Sequence, residues 1–450
     1  MGNGWKAGKI IFMKKINIGL LGYGTVGTGI VKILLGNKDL IASRLGAYLN
    51  LKRIADIDTV RDRGIKLDKG MLISDADAVV NDPDIEIIVE MIGGESVAKE
   101  LILKAIKKKK HIVTANKALL ANQGAVIFKA AMENKVDLAF EASVGGCMPI
   151  IKSLRESLAG ENIQSMTGIL NGTCNYILSK ISDDGSPFKT ALLEAQQNGF
   201  AEADPTLYIE GIDTDHKLAI IMSLAFGTKI NLKDIYVEGI SNITPLDIEF
   251  ASQFGYRIKL LAIGKNKQDA IEARIHPTMI PFSNPLSNIN GSLNALTISG
   301  DNVGDMMLYG HGAGMMHTAS AVVGDIIDIA RNIMFNSTGR IPVLSYQTKN
   351  IKKVPILSID EIVSFYYFRF SAADRPGVLS KISGILGNHN ISLRSVHQKG
   401  RKSEGFVPIV MFTHLAKEAE VFKALSEIQS LDVVTDKPAL IRIEDENNED

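Results

Sequence analysis

Three glycines, Gly22, Gly24 and Gly27 of KKINIGLLGYGTVG, follow an apolar strand-like run at the spacing G-x-G-x-x-G. They open a segment whose Val26, Ile30, Ile33 and Leu34 share one helical face. No other feature of the chain restricts its fold as strongly. The first glycine permits a tight turn, the second leaves room for a ligand against the backbone, and the third lets helix pack on strand. A helix N-terminus placed there attracts an anion such as a pyrophosphate. A glycine-rich turn without ligand is the plainer alternative, and the flanking strand and helix argue against it.

Further short β-branched runs, LKRIAD, IEIIVEMI, HIVTA and VDLAFEA, alternate with amphipathic stretches up to residue 142. That order predicts βαβ units and a doubly wound parallel sheet of Rossmann type over residues 1–142. Longer mixed segments with Gly- or Asn-rich breaks, NGTCN, PFSNPLSNINGS and YGHGAG, predict an α+β domain over 143–345, including an apolar helix, HTASAVVGDIIDIARNI, that returns to the first domain or packs on a partner. Residues 346–362 read as a linker. From 363 to 445 the order βαββαβ predicts a ferredoxin-like module.

Lys plus Arg and Asp plus Glu both number 50, so the chain has no net charge to hold nucleic acid or an anionic membrane. The absence of an apolar stretch of roughly 20 residues argues against a bilayer span. Cys147 and Cys174 form no framework and fit a reducing compartment, which makes the cytoplasm the expected location; both read as small packing residues.

An acid at the end of the second strand, Asp56 or Asp58, would read the ribose of NAD, whereas Arg53, Arg61 or Arg63 could take the 2′-phosphate of NADP. Gly93 and Gly94 end the third strand. Lys117, in TANKALL, stands beyond the fourth, at the edge where such sheets bind ligands. In GFAEADPTLYIEGIDTDHK, Glu202 and Asp204 lie in a loop, and Asp213 and Lys217 are four apart on a helix whose Leu218, Ile221, Met222 and Ala225 are buried. A lysine at that margin, fixed by an aspartate, can exchange a proton with a substrate oxygen. His216 reads as structural.

The strings GLLGYGTVGTG, TANKALLA, FEASVGGCMPIIKSLRE, NGTCNYIL, GFAEADPTLYIEGIDTDHK, GHGAG and ADRPGVL resemble homoserine dehydrogenases with a C-terminal ACT domain, from Met13 onward. The resemblance implies reversible NADPH- or NADH-dependent reduction of L-aspartate 4-semialdehyde to L-homoserine, a step toward threonine, methionine and isoleucine. It implies Lys217 as proton donor, Asp213 as a substrate-holding acid and Glu202 as the carboxylate for the substrate amine. It places Lys117, Thr25 and Val26 at the cofactor, and Gly199, Gly312 and Gly314 on its nicotinamide side. The carbonyls of Glu141, Val144, Gly146 and Met148 would hold a structural sodium ion. Asp374, Gly377 and Asn390 would line an effector pocket, with threonine the expected inhibitor, and the enzyme would be a homodimer or homotetramer.

The chain departs from the family where Tyr208 replaces a usual Asp and Phe200 a usual Tyr, and at His311 and the MMH after GHGAG. Two other functions fit parts of the pattern. One is another nicotinamide-dependent amino-acid dehydrogenase, and the other is a catalytically weak amino-acid sensor whose pocket Tyr208 has compromised.

Overall fold

Ile16, Ile18, Leu20 and Leu21 are buried on both faces of the strand Lys14–Leu21, so that strand can only be central. The computed structural model, which describes residues 13–202, 204–398 and 406–445, places it in a six-stranded parallel sheet. The order is Leu72–Ile73, Ala47–Ala55, Lys14–Leu21, Ile87–Glu90, His111–Thr114, Leu138–Ala139. Strand order reverses between Lys14–Leu21 and Ile87–Glu90, and ligands of open α/β sheets bind at such a point.

The chain divides into two compact units, residues 1–152 with 313–343, and residues 153–312 with 344–450. In the first, the helix after the glycines, Thr25–Gly36, ends at Asn37, and a second, Lys38–Leu45, follows it. Gly29 lets the helix Met315–Phe335 pack closely on Thr25–Gly36; a Cβ there would stand 2.9 Å from Ala319 Cβ. Asp325, buried on that helix, accepts from the Glu141 amide at 2.8 Å and lies 3.1 Å from the Lys152 ammonium.

The second unit is built on one sheet. Its order is Gly304–His311, Leu293–Gly300, Ile163–Ile169, Tyr256–Asn266, Ile271–Pro281, Ala439–Ile443, Val363–Ala373, Phe406–Thr413, Leu393–Gln398. The last four strands, with the helices Val378–Asn388 and Glu418–Gln429, make the βαββαβ module. Its closing strand does more than complete that module: Arg442 and Ile443 also pair in parallel with Thr278 and Met279. The strand is shorter than LDVVTDKPALIRI suggests, because only a single bridge, Ala372 to Val434, precedes Ala439. Within 346–362 the chain is tied down: Ile271 N donates to Pro355 O and Leu357 N to Ile271 O, both at 2.9 Å. Among the described residues no helix is long and apolar enough to cross a membrane.

Lys259 has an unusual place in the second unit. It is 2% exposed on the strand Tyr256–Asn266 and donates to Ile289 O (2.6 Å), Asn175 Oδ1 (3.0 Å) and Asn290 Oδ1 (3.1 Å). Burial, helped by the Arg257 guanidinium, pushes its pKa down to about 7. The unfolded chain then binds a proton that the folded chain does not between pH 7 and the normal lysine value, so folding gains stability as pH rises through that window. The destabilisation caused by Lys259→Met is therefore expected to grow with pH between 7.5 and 9.5. Urea midpoints of the two proteins across that range check this, and a pH-independent difference would show that the amine stays charged in the fold.

Candidate functional site

The glycine turn is held by close backbone approaches. Gly22 has φ +97°, and a Cβ there would lie 2.5 Å from Met91 O; a Cβ on Gly27 would lie 2.1 Å from Gly22 O. Gly24, the N-cap of Thr25–Gly36, would meet nothing within 4 Å, and no side chain caps that helix. Open space at an uncapped helix start, next to Thr25 and Val26, suits a pyrophosphate.

Asp56 closes the turn from the second strand. Its Oδ2 accepts from Tyr23 N at 2.5 Å and its Oδ1 from Asp58 N at 2.8 Å. Arg63 folds back over the Tyr23 ring, 4.6 Å from its centre, and donates to Tyr23 O (2.6 Å) and Asp58 O (2.8 Å). Arg53 is engaged by Gly70 O and lies 3.6 Å from Asp82. Asp58 accepts from the amides of Val60 and Arg61, which holds its carboxyl below the usual range.

Sequence reasoning passed over Glu90. Fully buried, it accepts from Ile92 N (2.8 Å), Gly93 N (3.1 Å) and Thr114 Oγ1 (2.6 Å), and so fixes the turn at Gly93 and Gly94. The signal was a lone carboxylate ending an apolar run. Asn116 donates to Gly94 O at 2.6 Å and caps Leu119 N, which sets Lys117 half-buried at the start of Lys117–Asn134.

The second unit carries the acid–base cluster. Gly211, at φ +80°, turns the chain into the helix Ile212–Phe226, with Leu218, Ile221, Met222 and Ala225 buried as expected. Lys217 Nζ donates to Asp213 Oδ2 at 2.6 Å and to Leu170 O at 2.7 Å, and both side chains are 11% exposed. Leu170 and Asn171 follow the strand Ile163–Ile169; Asn171 caps the helix Gly172–Asp184 and donates to Tyr208 O at 2.9 Å. The Tyr208 hydroxyl donates to Glu202 Oε1 at 3.1 Å. Burial and the carboxylates of Glu202 and Asp213 push that phenol up to about 12, so it stays neutral. Glu202, Tyr208, Asp213 and Lys217 thus gather around NGTCN, a string noted in the sequence only as a break. Thr173 adds a bond to Phe200 O.

Cys174 is buried and donates its thiol to Tyr208 O; Cys147 is exposed, so its reading as a packing residue is corrected. Gly199 has φ +73°. Gly312 abuts Asn294, whose Nδ2 would be 2.2 Å from a Cβ, and Gly314, φ +117°, caps Met315–Phe335.

Residues 141–148 form a turn with Gly145 and Gly146 both left-handed (φ +70° and +60°). The Glu141 carbonyl accepts from Val144 N at 3.3 Å and the Met148 carbonyl from Ile150 N at 2.8 Å, each keeping a second lone pair. Oxygen donors of this kind suit a hard cation. Among the described residues no group of three or more His, Cys, Asp or Glu is placed to hold a metal. In the C-terminal module, Asp374 and Asn390 are exposed, Gly377 (φ +88°) caps Val378–Asn388, and Asn390 is left-handed at φ +58°.

Three family models match the chain: "Homoserine dehydrogenase, NAD binding domain" at residues 22–141, "Homoserine dehydrogenase" at 149–327 and "ACT domain" at 366–433. The homoserine dehydrogenase of Neisseria gonorrhoeae is 44% identical over 432 residues, covering 96% of this chain and 99% of that protein. That of Pseudomonas aeruginosa is 42% identical over 438 residues, 97% and 100%. The crystal structure of a homoserine dehydrogenase from Thiobacillus denitrificans aligns with a TM-score of 0.89 at 43% identity, over 96% and 99% of the two chains. A hyperthermophilic archaeal homoserine dehydrogenase mutant in complex with NADPH aligns at 0.60 and 27% identity, over 70% and 97%.

For a nucleotide bound at the glycine turn, the position of Asp56 gives a test of NAD against NADP. A carboxylate beside the glycine turn repels a 2′-phosphate, and serine keeps an acceptor for Tyr23 N without the charge. Asp56→Ser is expected to shift relative affinity toward NADPH over NADH by about tenfold. Fluorescence titration with both nucleotides checks this.

Proposed function

The chain belongs to the homoserine dehydrogenase family, and on that footing we propose which of its residues carry the reversible reduction of L-aspartate 4-semialdehyde to L-homoserine. The observation that carries the assignment is the Lys217 ammonium held between Asp213 and the Leu170 carbonyl, close to Glu202 and Tyr208. The bound nicotinamide supplies or takes the hydride. As negative charge grows on the aldehyde oxygen, Lys217 stabilises it and delivers the proton; in the oxidative direction the same amine receives it. Asp213 keeps the amine in place. Glu202 takes the substrate ammonium, and the Tyr208 hydroxyl orients that carboxylate where relatives carry an acid. Gly22, Gly24, Gly27, Thr25 and Val26 hold the pyrophosphate, and Lys117 stands at the same sheet edge. The assignment of Gly199, Gly312 and Gly314 to the nicotinamide rests on the family pattern alone.

Asp56 favours NAD, although the fold serves NADP as well. The turn at Glu141, Val144, Gly146 and Met148 fits sodium through its carbonyls. The edge strands Gly304–His311 and Leu393–Gln398 each leave one side unpaired among the described residues, which supports pairing between copies in a homodimer or homotetramer. The cytoplasm is the compartment that fits its two thiols. Asp374, Gly377 and Asn390 form the proposed threonine site of the ACT module, where free amides at the start of Val378–Asn388 face a carboxylate. The intact Lys217–Asp213 pair speaks against a catalytically weak sensor, and the match over 149–327 against another amino-acid dehydrogenase.

Absorbance of the reduced nicotinamide, with L-homoserine and either nucleotide, tests the assignment. Lys217→Ala is expected to lower turnover by roughly 100-fold to 10,000-fold with nucleotide binding retained; a loss of only a few-fold would remove Lys217 from the chemistry. In the same assay L-threonine is expected to slow the reaction, and Asp374→Ala to raise the half-inhibitory threonine concentration about fivefold while leaving the uninhibited rate unchanged. Insensitivity to threonine would leave the module without that effector.

A further inference from the structure

The strand that closes the C-terminal module carries an arginine the chemistry above does not use. Arg442 is fully buried, and a buried guanidinium needs acceptors for its donors. Glu418, itself buried at the start of Glu418–Gln429, accepts from Nε at 3.0 Å and from Nη2 at 2.5 Å, and takes the Tyr366 hydroxyl at 2.7 Å. That pair alone would neutralise the charge within the module. Nevertheless Nη1 donates to Glu238 Oε2 at 2.8 Å and Nη2 to the Tyr236 hydroxyl at 3.2 Å. The Tyr236 hydroxyl donates in turn to Glu238 at 3.0 Å.

Glu238 belongs to a ledge beneath the acid–base cluster. Tyr236–Val237 pairs with Arg274 and Ile275, and Glu238 N donates to Ile275 O at 2.8 Å. The next residue, Gly239, lies so close to the substrate segment that a Cβ would stand 2.3 Å from Ile209 O and 2.5 Å from Glu210 Cα. Ile240 N donates to Ile209 O at 2.8 Å. From the other side, a Cβ on Gly211 would meet Val237 Cγ1 at 3.2 Å. Residues 209–211 therefore rest on 236–240. They are flanked by Tyr208, which bonds Glu202, and by the helix start that carries Asp213 and Lys217.

We propose that Arg442 is a positioning residue for the substrate: through Glu238 it fixes the 236–240 ledge, and thereby the turn from Tyr208 to Asp213. The proposal rests on the reading of Glu202 as the partner of the substrate ammonium, with Tyr208 orienting it, and of Asp213 as the acid that holds Lys217. Buried charge-assisted bonds are short and directional, so they hold the ledge more narrowly than apolar packing does. The C-terminal module is then part of how the substrate pocket is built, apart from any effector it binds.

Initial rates of the full chain, with L-homoserine and the nucleotide each varied, test this in Tyr236→Phe, Arg442→Lys, Glu238→Gln and the Arg442→Lys/Glu238→Gln double variant. Misplacing a contact by a fraction of an ångström is costly, so the homoserine KM is expected to rise about fivefold or more in the charged variants, with the nucleotide KM within about twofold of wild type. The double variant should be no worse than the worse single one, because both break the same link. An unchanged homoserine KM in folded variants, equal shifts in both KM values, or multiplicative single effects would overturn the proposal. Should the charged variants fail to fold, Tyr236→Phe decides by itself, since it removes two bonds without burying a lone charge; about a threefold rise in homoserine KM supports the link and none refutes it. A wild-type chain without homoserine-dependent turnover would instead bring down the substrate reading, and this proposal with it.

Discussion

The bond from the Lys217 ammonium to the Leu170 carbonyl ties the helix Ile212–Phe226 to the end of a sheet strand. A lysine paired only with Asp213 on its own helix would be a surface ion pair of little energetic weight and loose geometry. A second acceptor from another element, with both side chains mostly withdrawn from water, gives the amine one place to be. The elements around it serve that geometry. Asn171 caps the next helix and reaches back to Tyr208, Gly211 starts the lysine's own helix, and the ledge at 236–240 supports the turn between them.

Charge is handled differently in the two units. In the first, Asp56 bonds amides at the glycine turn, and Glu90 bonds the Ile92 and Gly93 amides and the Thr114 hydroxyl at the turn after its own strand, so two carboxylates shape loops. In the second, buried ion pairs join strands to the elements beside them: Arg274 to Glu444 across the sheet, Arg369 to Asp247 on a helix, and Arg442 to Glu418 at a helix start and to Glu238. Burial of ions is unfavourable unless every donor is matched. The Arg442 set, in which all three guanidinium nitrogens are bonded, specifies how the closing strand joins the rest of the sheet. Beside it, Arg274 and Lys265 pull the Glu444 carboxyl down to about 2.

Tyr208 shows how a departure from a family pattern can be absorbed. A second acid near Glu202 and Asp213 would add repulsion until a cationic substrate arrived; the phenol is neutral and bonds to Glu202 instead. The pocket therefore retains a polar contact at the position and loses a charge. On the proposed assignment, this alters the hold on a substrate ammonium more than the proton transfer at Lys217.

The sequence by itself determined the local chemistry. The glycine spacing specified a turn that needs Gly22 for its left-handed backbone and Gly27 for its close approach, the apolar periods specified strands and helices, and the four-residue step from Asp213 to Lys217 placed both on one face, because each of these depends on residues close along the chain. Tertiary structure alone decided the rest: that Asp56 bonds the glycine turn, that Glu90 pins the loop after its own strand, that Leu170 receives the lysine, that the helix Met315–Phe335 packs on Thr25–Gly36, and that the final strand joins two sheets' worth of strands into one. Several of these contacts join residues dozens to well over a hundred positions apart, and a backbone carbonyl leaves no mark in a sequence. Periodicity records which face of an element is apolar. It does not record which partner covers that face, and so the address of each buried charge became visible only in the folded chain.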